Sequence, residues 1–297
     1  MLNSKLKIPV IYVGLIMIWG TTWSAIKLSV GDTPFLMATI RFFIASGTLM
    51  LIQLIRKRAI LPPKGHWKVV IAIGLGNFFI GYGFTYWGMQ FVYSNLTSLL
   101  WATMPVIVSI YAHFMISNEK MNGAKLFSLS GALIGSYLIF DIHGKDFDPQ
   151  AAVGMSVIML SIIIASYTNV LYKREGSHLD PVSMNAVGMS IGAFFLLICG
   201  LILESGDQLV LNPVTVGLTV YLAVFGSAVG FSVYFWLLKH ISVVKMSYTT
   251  FLIPIFASFW GWLFLNEGFT LGTITGGVVI LLSVSIPELR FPQRKQN

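Results

Sequence analysis

The sequence predicts an all-α integral membrane protein of ten transmembrane helices, arranged as two inverted five-helix repeats. Three observations predict it. Of 297 residues, 56% are hydrophobic and only 10% charged, against about 25% charged in ordinary soluble domains. Apolar runs of about 20 residues, the length that crosses a hydrocarbon core, recur with short connections along the whole chain. The pattern is also written twice. At one offset of 149 positions, Gly81 falls on Gly230, Trp87 on Trp236, Ser98 on Ser247, Pro105 on Pro254 and Ser109 on Ser258. Five crossings per copy is odd, so the second copy enters the membrane from the opposite side. Two such halves around one central site are a recurrent architecture of secondary transporters.

The expected spans follow in order. Residues 8–26 begin behind Lys5 and Lys7, and the apolar run is too long for a cleaved signal. Residues 34–55 open on Pro34 and stop at Arg56, Lys57 and Arg58. Residues 67–89 carry Asn77 and an aromatic end, 93–117 carry Pro105, and 124–141 carry Gly131 and Gly135. Segments 151–172, 181–203, 213–238, 244–265 and 270–287 repeat the series, with Pro254 matching Pro105 and Gly272 and Gly276 in the last helix. Each is expected as continuous helix, because backbone amides facing lipid must be satisfied within their own segment. The expected organisation is a first repeat over 1–142, a polar linker over 143–150, a second repeat over 151–290 and a cytoplasmic tail over 291–297.

Charge sets the expected orientation. With a cytoplasmic N-terminus, the inside collects sixteen of the nineteen Lys and Arg residues. The outside keeps Lys27 and Lys145, and Arg41 lies within a span. That asymmetry predicts both termini in the cytoplasm of a bacterial-type inner membrane. The net charge of +8 therefore reads as topology and not as nucleic-acid binding. The single cysteine, Cys199, excludes a disulfide framework or a thiolate metal cluster, so no metal or cofactor is expected. None of the fingerprints of zinc proteases, α/β-hydrolases, P-loop ATPases or dinucleotide enzymes occurs. The loops are too short for a nucleotide-binding domain. An enzyme is not expected.

Four motifs carry a family resemblance. Trp19-Gly20-Thr21-Thr22-Trp23 is followed by Lys27. Pro34 precedes Arg41-Phe42. Pro105 and Pro254 lie in spans that end at Asn118-Glu119-Lys120 and Asn266-Glu267-Gly268, and Gly135 and Gly276 sit in the helices that follow. In this order and duplication the chain resembles the EamA family of the drug/metabolite transporter superfamily over its full length. It departs from the family pattern where Asn replaces Gly before each glutamate, and where the second copy lacks the basic residue. The resemblance implies a ten-helix carrier, usually efflux-directed, of small metabolites that are often amino acids.

Several positions stand out physically. Arg41 lies about 10 Å along its helix from Pro34, at 1.5 Å per residue. An intramembrane charge is expensive and marks function by default; it reads as a carboxylate anchor or outer gate, or as a side chain snorkelling to the headgroups. Asn77 reads as a site residue or as interhelical glue. Trp19, Thr22, Tyr82, Trp101, Tyr167, Tyr234, Tyr248 and Thr249 complete an amphipathic, aromatic-rich set of cavity candidates. Lys27 reads as a surface anchor. Pro105 and Pro254 each remove a helical hydrogen bond and are gating or kink candidates, with Glu119 and Glu267 at helix ends. His113 is the one candidate proton carrier, or else a structural hydrogen-bonding group.

The lack of a mid-membrane carboxylate argues against proton-exchanging cation export and for neutral or zwitterionic solutes. The expectation is an alternating-access exporter of small metabolites such as amino acids, in a lipid bilayer and without nucleic acid. A multidrug or nucleoside efflux carrier and a passive channel are the alternatives. The paired glycines fit a homodimer face and intrachain packing equally, so monomer and homodimer stay open.

Overall fold

The computed structural model describes residues 4–92, 94–139, 149–206, 209, 211–265 and 271–289. These residues form helices and no strand. We label the helical rods in chain order. The first half holds α1 (Ser4–Gly20 and Thr22–Val30), α2 (Pro34–Ile55), α3 (Lys64–Gly88), α4 (Ser94–Trp101 and Met104–Met115) and α5 (Gly123–Ile139). The second holds α6 (Pro149–Leu171, extended by Tyr172–Gly176), α7 (Pro181–Leu203), α8 (Pro213–His240), α9 (Val243–Ser247 and Thr249–Leu265) and α10 (Leu271–Leu289). Seven helical stretches, within α1 to α4 and α6 to α8, are long and apolar enough to cross a membrane. Three shorter apolar helices, at Gly123–Ile139, Val243–Ala257 and Leu271–Ser285, accompany them. The protein is a multi-pass helical membrane protein.

Local chemistry explains the ends. Proline opens α2, α7 and α8, where its missing N–H would have no helical partner anyway. Asp180 accepts from the Ser183 N–H at 3.1 Å to cap α7, and Asn212 and Thr215 form a capping box at α8. Such caps contribute about 1 kcal/mol each. The turn from α1 to α2 passes through Gly31 at φ +51°, a conformation glycine adopts without a Cβ penalty.

The packing pairs each half with the other. Leu36 on α2 meets Gly200 on α7, while Ser46, further along α2, donates to the Ala186 carbonyl at 2.8 Å and lies 2.6 Å from the Ser190 hydroxyl. Residue numbers rise on one helix as they fall on the other, so α2 and α7 run antiparallel. The same holds for α5 and α10, where Gly131 meets Ser283 and Gly135 meets Gly276 and Ile280. A Cβ on Gly135 would sit 2.7 Å from the Gly276 carbonyl oxygen. Backbone-to-backbone approach of this kind needs small residues. Gly131, Gly135 and Gly276 are thus occupied within the chain.

The expectation of continuous helices is corrected in three places. The α1 helix breaks at Thr21, α4 at Ala102–Thr103 and α9 at Tyr248. Both α3 and α8 widen into π-helical stretches, Ile73–Tyr82 and Leu222–Val229, which begin 149 positions apart. The α4 and α9 breaks precede the prolines. Pro105 is the second residue of the second α4 segment, whereas Pro254 lies inside the second segment of α9. Proline deprives a carbonyl one turn earlier of its donor, so the disturbance is displaced toward the N-terminus. π-Turns widen a helix and frequently accompany functional sites.

Candidate functional site

The interrupted and widened helices converge on one cavity of about 50 Å³. It is lined from α1 by Trp19, Thr22 and Trp23, from α2 by Arg41 and from α3 by Asn77 and Tyr82. Trp101 and Met104 on α4, Asn169 on α6, Phe231 and Tyr234 on α8, and Thr249, Thr250 and Ile253 on α9 complete it. Eight sequence candidates therefore share one wall: Trp19, Thr22, Arg41, Asn77, Tyr82, Trp101, Tyr234 and Thr249. In this state there is room for about three or four water-sized groups.

Arg41 is the charge in this wall. It is 1% exposed, which removes the snorkelling reading. Its Nε donates to Ser227 Oγ at 2.8 Å and its Nη1 to Tyr86 OH at 2.9 Å. The guanidinium carbon lies 5.0 Å from the Tyr82 ring centre, 5.4 Å from that of Phe42 and 5.9 Å from that of Tyr86. All these partners are neutral. Gly226 on α8 lies beside it, where a Cβ would stand in ordinary contact at 3.5 Å from Nη2. The α8 widening also presents the Gly226 carbonyl to Trp19, whose Nε1 donates to it at 3.1 Å. The indole fits because residue 230 is glycine; a Cβ there would lie 2.6 Å from Trp19 Nε1.

Further polar atoms line the cavity without using their hydrogen-bonding capacity on the protein. Among the described residues, Asn77 Nδ2, Trp101 Nε1, Tyr234 OH and Asn169 Oδ1 are buried and bond to no protein atom. Leaving such a group unsatisfied costs about 1–3 kcal/mol, so these four atoms are open to a polar partner. The threonines are different: Thr22 and Thr249 donate to the carbonyls of Trp19 and Met246 in their own helices. Aromatic contacts form the apolar part, with Trp19 against Tyr234 and Phe231, Trp23 against Trp101, and Tyr82 against Trp101 and Phe231.

Other candidates lie elsewhere. Tyr167 is 41% exposed and stacks edge-on against Tyr111, so it faces away from the cavity and that expectation is corrected. Asn169, two residues on, is 3% exposed and lines the wall; two residues turn a helix by about 200°. Tyr248 is buried beside the lining. His113 Nδ1 accepts from the Met121 N–H at 2.9 Å, a structural bond at the α4 end and remote from the cavity. Glu267 lies outside the described residues. The residues missed by the sequence reading are Trp23, Met104, Asn169, Phe231, Thr250 and Ile253.

Charged groups clasp the helix ends around this centre. Glu119, 7% exposed, accepts from the Val243 and Val244 N–H groups at 3.0 and 3.3 Å, at the start of α9. Lys173 of α6 donates to the Leu238 and Ile241 carbonyls at the end of α8. The α8–α9 turn is thus held by a cation at a helix C-terminus and an anion at a helix N-terminus, both favoured by the helix dipoles. At the opposite end of the bundle Lys27 of α1 donates to the Met89 and Val92 carbonyls at the end of α3. Its reading as a surface anchor is corrected. There too Glu204 of α7 accepts from the Phe35 and Leu36 N–H groups at 2.7 and 3.0 Å. Met89 and Leu238, and Val92 and Ile241, are each 149 positions apart.

A polytopic helical protein with duplicated architecture and an aromatic-walled, singly charged central cavity defines the class of membrane transporters. The comparisons name the family: the model of the EamA-like transporter family matches the chain twice, over residues 7–141 and 152–286. The chain belongs to the EamA-like transporter family. It is 32% identical over 287 residues to the Uncharacterized transporter YoaV of Bacillus subtilis, covering 95% of this chain and 97% of that one. It is 26% identical over 283 residues to the WAT1-related protein At3g02690, chloroplastic, of Arabidopsis thaliana, covering 93% and 67%. Protein PagO of Salmonella typhimurium is 25% identical over 257 residues, covering 85% and 83%. A solved crystal structure at 17% identity superposes with a TM-score of 0.81 over 95% of this chain and 96% of that one, a likeness of fold.

Proposed function

We propose that the chain is a secondary carrier that exports small carboxylate-bearing metabolites, the class to which amino acids belong, by alternating access. In this reading ten helices cross the membrane as two inverted repeats, over 1–142 and 151–290, with both termini cytoplasmic. The antiparallel packing of α2 on α7 and of α5 on α10 supports inversion, because a two-fold axis in the membrane plane reverses each helix against its counterpart. The Lys173 and Glu119 clasps then close the cytoplasmic side, and the Lys27 and Glu204 clasps the external side.

The observation that carries the substrate class is Arg41. A guanidinium is a fixed cation with five donors, and its planar fork suits a carboxylate. In the cavity wall it has two neutral oxygen partners, leaving donors for a solute. Asn77 and Trp101 add N–H donors, Asn169 and Tyr234 add acceptors, and the rings hold an apolar body.

Counterflow tests this. Proteoliposomes preloaded with an unlabelled mixture of amino acids and small organic acids are offered single labelled members outside. Saturable uptake that the internal pool accelerates, and that falls in Arg41→Ala and in Asn77→Ala, is expected. Uptake of no carboxylate-bearing solute would contradict the proposal. Non-saturating flux independent of the internal pool would replace the carrier with a channel.

A further inference from the structure

Resting on that reading of the cavity, we infer that its preferred solute is a monoanion, a carboxylate with no ammonium group, and that the membrane potential drives its export.

Charge balance carries the argument. Arg41 is 1% exposed, cannot lose its proton and touches only hydroxyl oxygens and ring faces. None of the described lining residues is acidic. The described acids whose bonds are known are committed elsewhere: Glu119 and Glu204 to helix N-termini, Asp180 to the α7 cap and to Gln53, Glu175 to Arg174. The empty wall therefore carries one uncompensated positive charge in a low-dielectric setting. A solute of charge −1 neutralises it. A zwitterion leaves the sum at +1 and brings an ammonium group into the field of the guanidinium. For that ammonium the wall offers Asn169 Oδ1, Tyr234 OH and ring faces, all neutral. A buried cation without a carboxylate partner is costly, so the zwitterion binds less well than its deaminated isostere.

The same charge count supplies a driving force. The sequence offers no mid-membrane carboxylate to exchange a proton, and Arg41 cannot act as one. Moving a monoanion past a fixed arginine moves one net negative charge. With the cytoplasm negative, outward movement runs down the potential, and about 100 mV sustains roughly a 50-fold gradient of a monovalent ion. No proton or sodium site is then required for export.

The test uses a size-matched series in proteoliposomes: 3-phenyllactate (charge −1), phenylalanine (zwitterion) and phenylalanine amide (charge +1). Phenyllactate carries a hydroxyl where phenylalanine carries its ammonium, so shape is nearly constant. Initial uptake is measured with the potential set by a potassium gradient and valinomycin, against protein-free vesicles. Phenyllactate is expected to enter at least tenfold faster than phenylalanine at equal subsaturating concentration, and the amide not at all. Its uptake should rise several-fold when the interior is made positive, while that of phenylalanine stays nearly flat. Arg41→Lys should retain the preference and Arg41→Gln should abolish it; the wild-type ratio stands without either variant. Phenylalanine transported as well as or better than phenyllactate, or phenyllactate uptake indifferent to potential, would overturn the inference and leave the carrier intact. Failure of all three probes while the counterflow mixture above is exchanged would also overturn it alone. Failure of both experiments would remove the reading on which it rests.

Discussion

The two halves of this chain repeat their scaffold and diverge in their cavity. Lys27 and Lys173 occupy matching ends of α1 and α6, and each donates to carbonyls at matching ends of α3 and α8. The π-widened stretches of α3 and α8 match as well. Facing the cavity, the same positions carry different chemistry. Trp23 and Asn169 sit four residues before their lysines, Asn77 corresponds to Gly226 and Tyr82 to Phe231, and Trp101 corresponds to Thr250. Arg41 on α2 has no charged counterpart on α7, where Gly188 and Ser190 occupy the equivalent turn. Helix-end clasps and hinges are what two alternating gates share. An asymmetric wall is what one bound solute needs. On the alternating-access proposal, symmetry belongs to movement and asymmetry to recognition.

The largest way to break this comparison is at Arg41. Arg41→Gln keeps length and polarity but removes charge-assisted hydrogen bonds, each worth about 1.5–3 kcal/mol. Uptake of a carboxylate-bearing substrate at low concentration should fall by roughly 100-fold. The uncharged position is probed by Ser190→Ala, which should change uptake by no more than about fivefold, since one neutral hydrogen bond contributes about 1 kcal/mol. Equal losses at the two positions would erase the asymmetry.

The clasps come next. Lys27→Met and Lys173→Met each remove a cation from a helix C-terminus, an effect of about 0.3–1 kcal/mol and up to about 2 in partly buried sites. Each should loosen its own end of the bundle, shifting the balance of open states by about three- to tenfold in opposite directions. Sided labelling of cavity cysteines reads the shift. A shift in the same direction from both would show that the clasps do not oppose each other.

Smaller effects belong to the wall. Asn77→Ala and Asn169→Ala each delete one hydrogen-bonding arm and should weaken apparent affinity by about three- to tenfold, with little change in the maximal rate. Smallest of all is Tyr167→Ala. The side chain is exposed on the outside of α6 and stacks on Tyr111, so uptake should stay within about twofold of wild type. A large loss there would place α6 in the wrong rotation.

Much of this was legible in the sequence, because apolar length, the repeat and the glycine spacings are one-dimensional signals. Asn77 and Arg41 stood out because polar atoms are rare in apolar runs. What could not be read was helix rotation. Tyr167 and Asn169 differ by two positions, and an apolar helix with little amphipathic bias does not reveal which side faces inward. The Lys27–Lys173 correspondence held the missing signal: it places Asn169 at the position of Trp23. The break at Thr21 also escaped, because threonine is not a helix breaker and no proline follows it within α1. Lys27 was misread for a related reason, since carbonyls freed at a distant helix end leave no trace in local sequence.

The central claim is that one cavity opens alternately to the two membrane faces. Its most direct test is sided labelling of Thr250→Cys, a cavity-lining position, in a Cys199→Ser background, using a membrane-impermeant thiol reagent applied from one side at a time. The account predicts labelling from both sides, with external labelling raised in Lys27→Met, cytoplasmic labelling raised in Lys173→Met, and both slowed by a transported solute. Labelling from one face only, unchanged by either lysine variant, would contradict it.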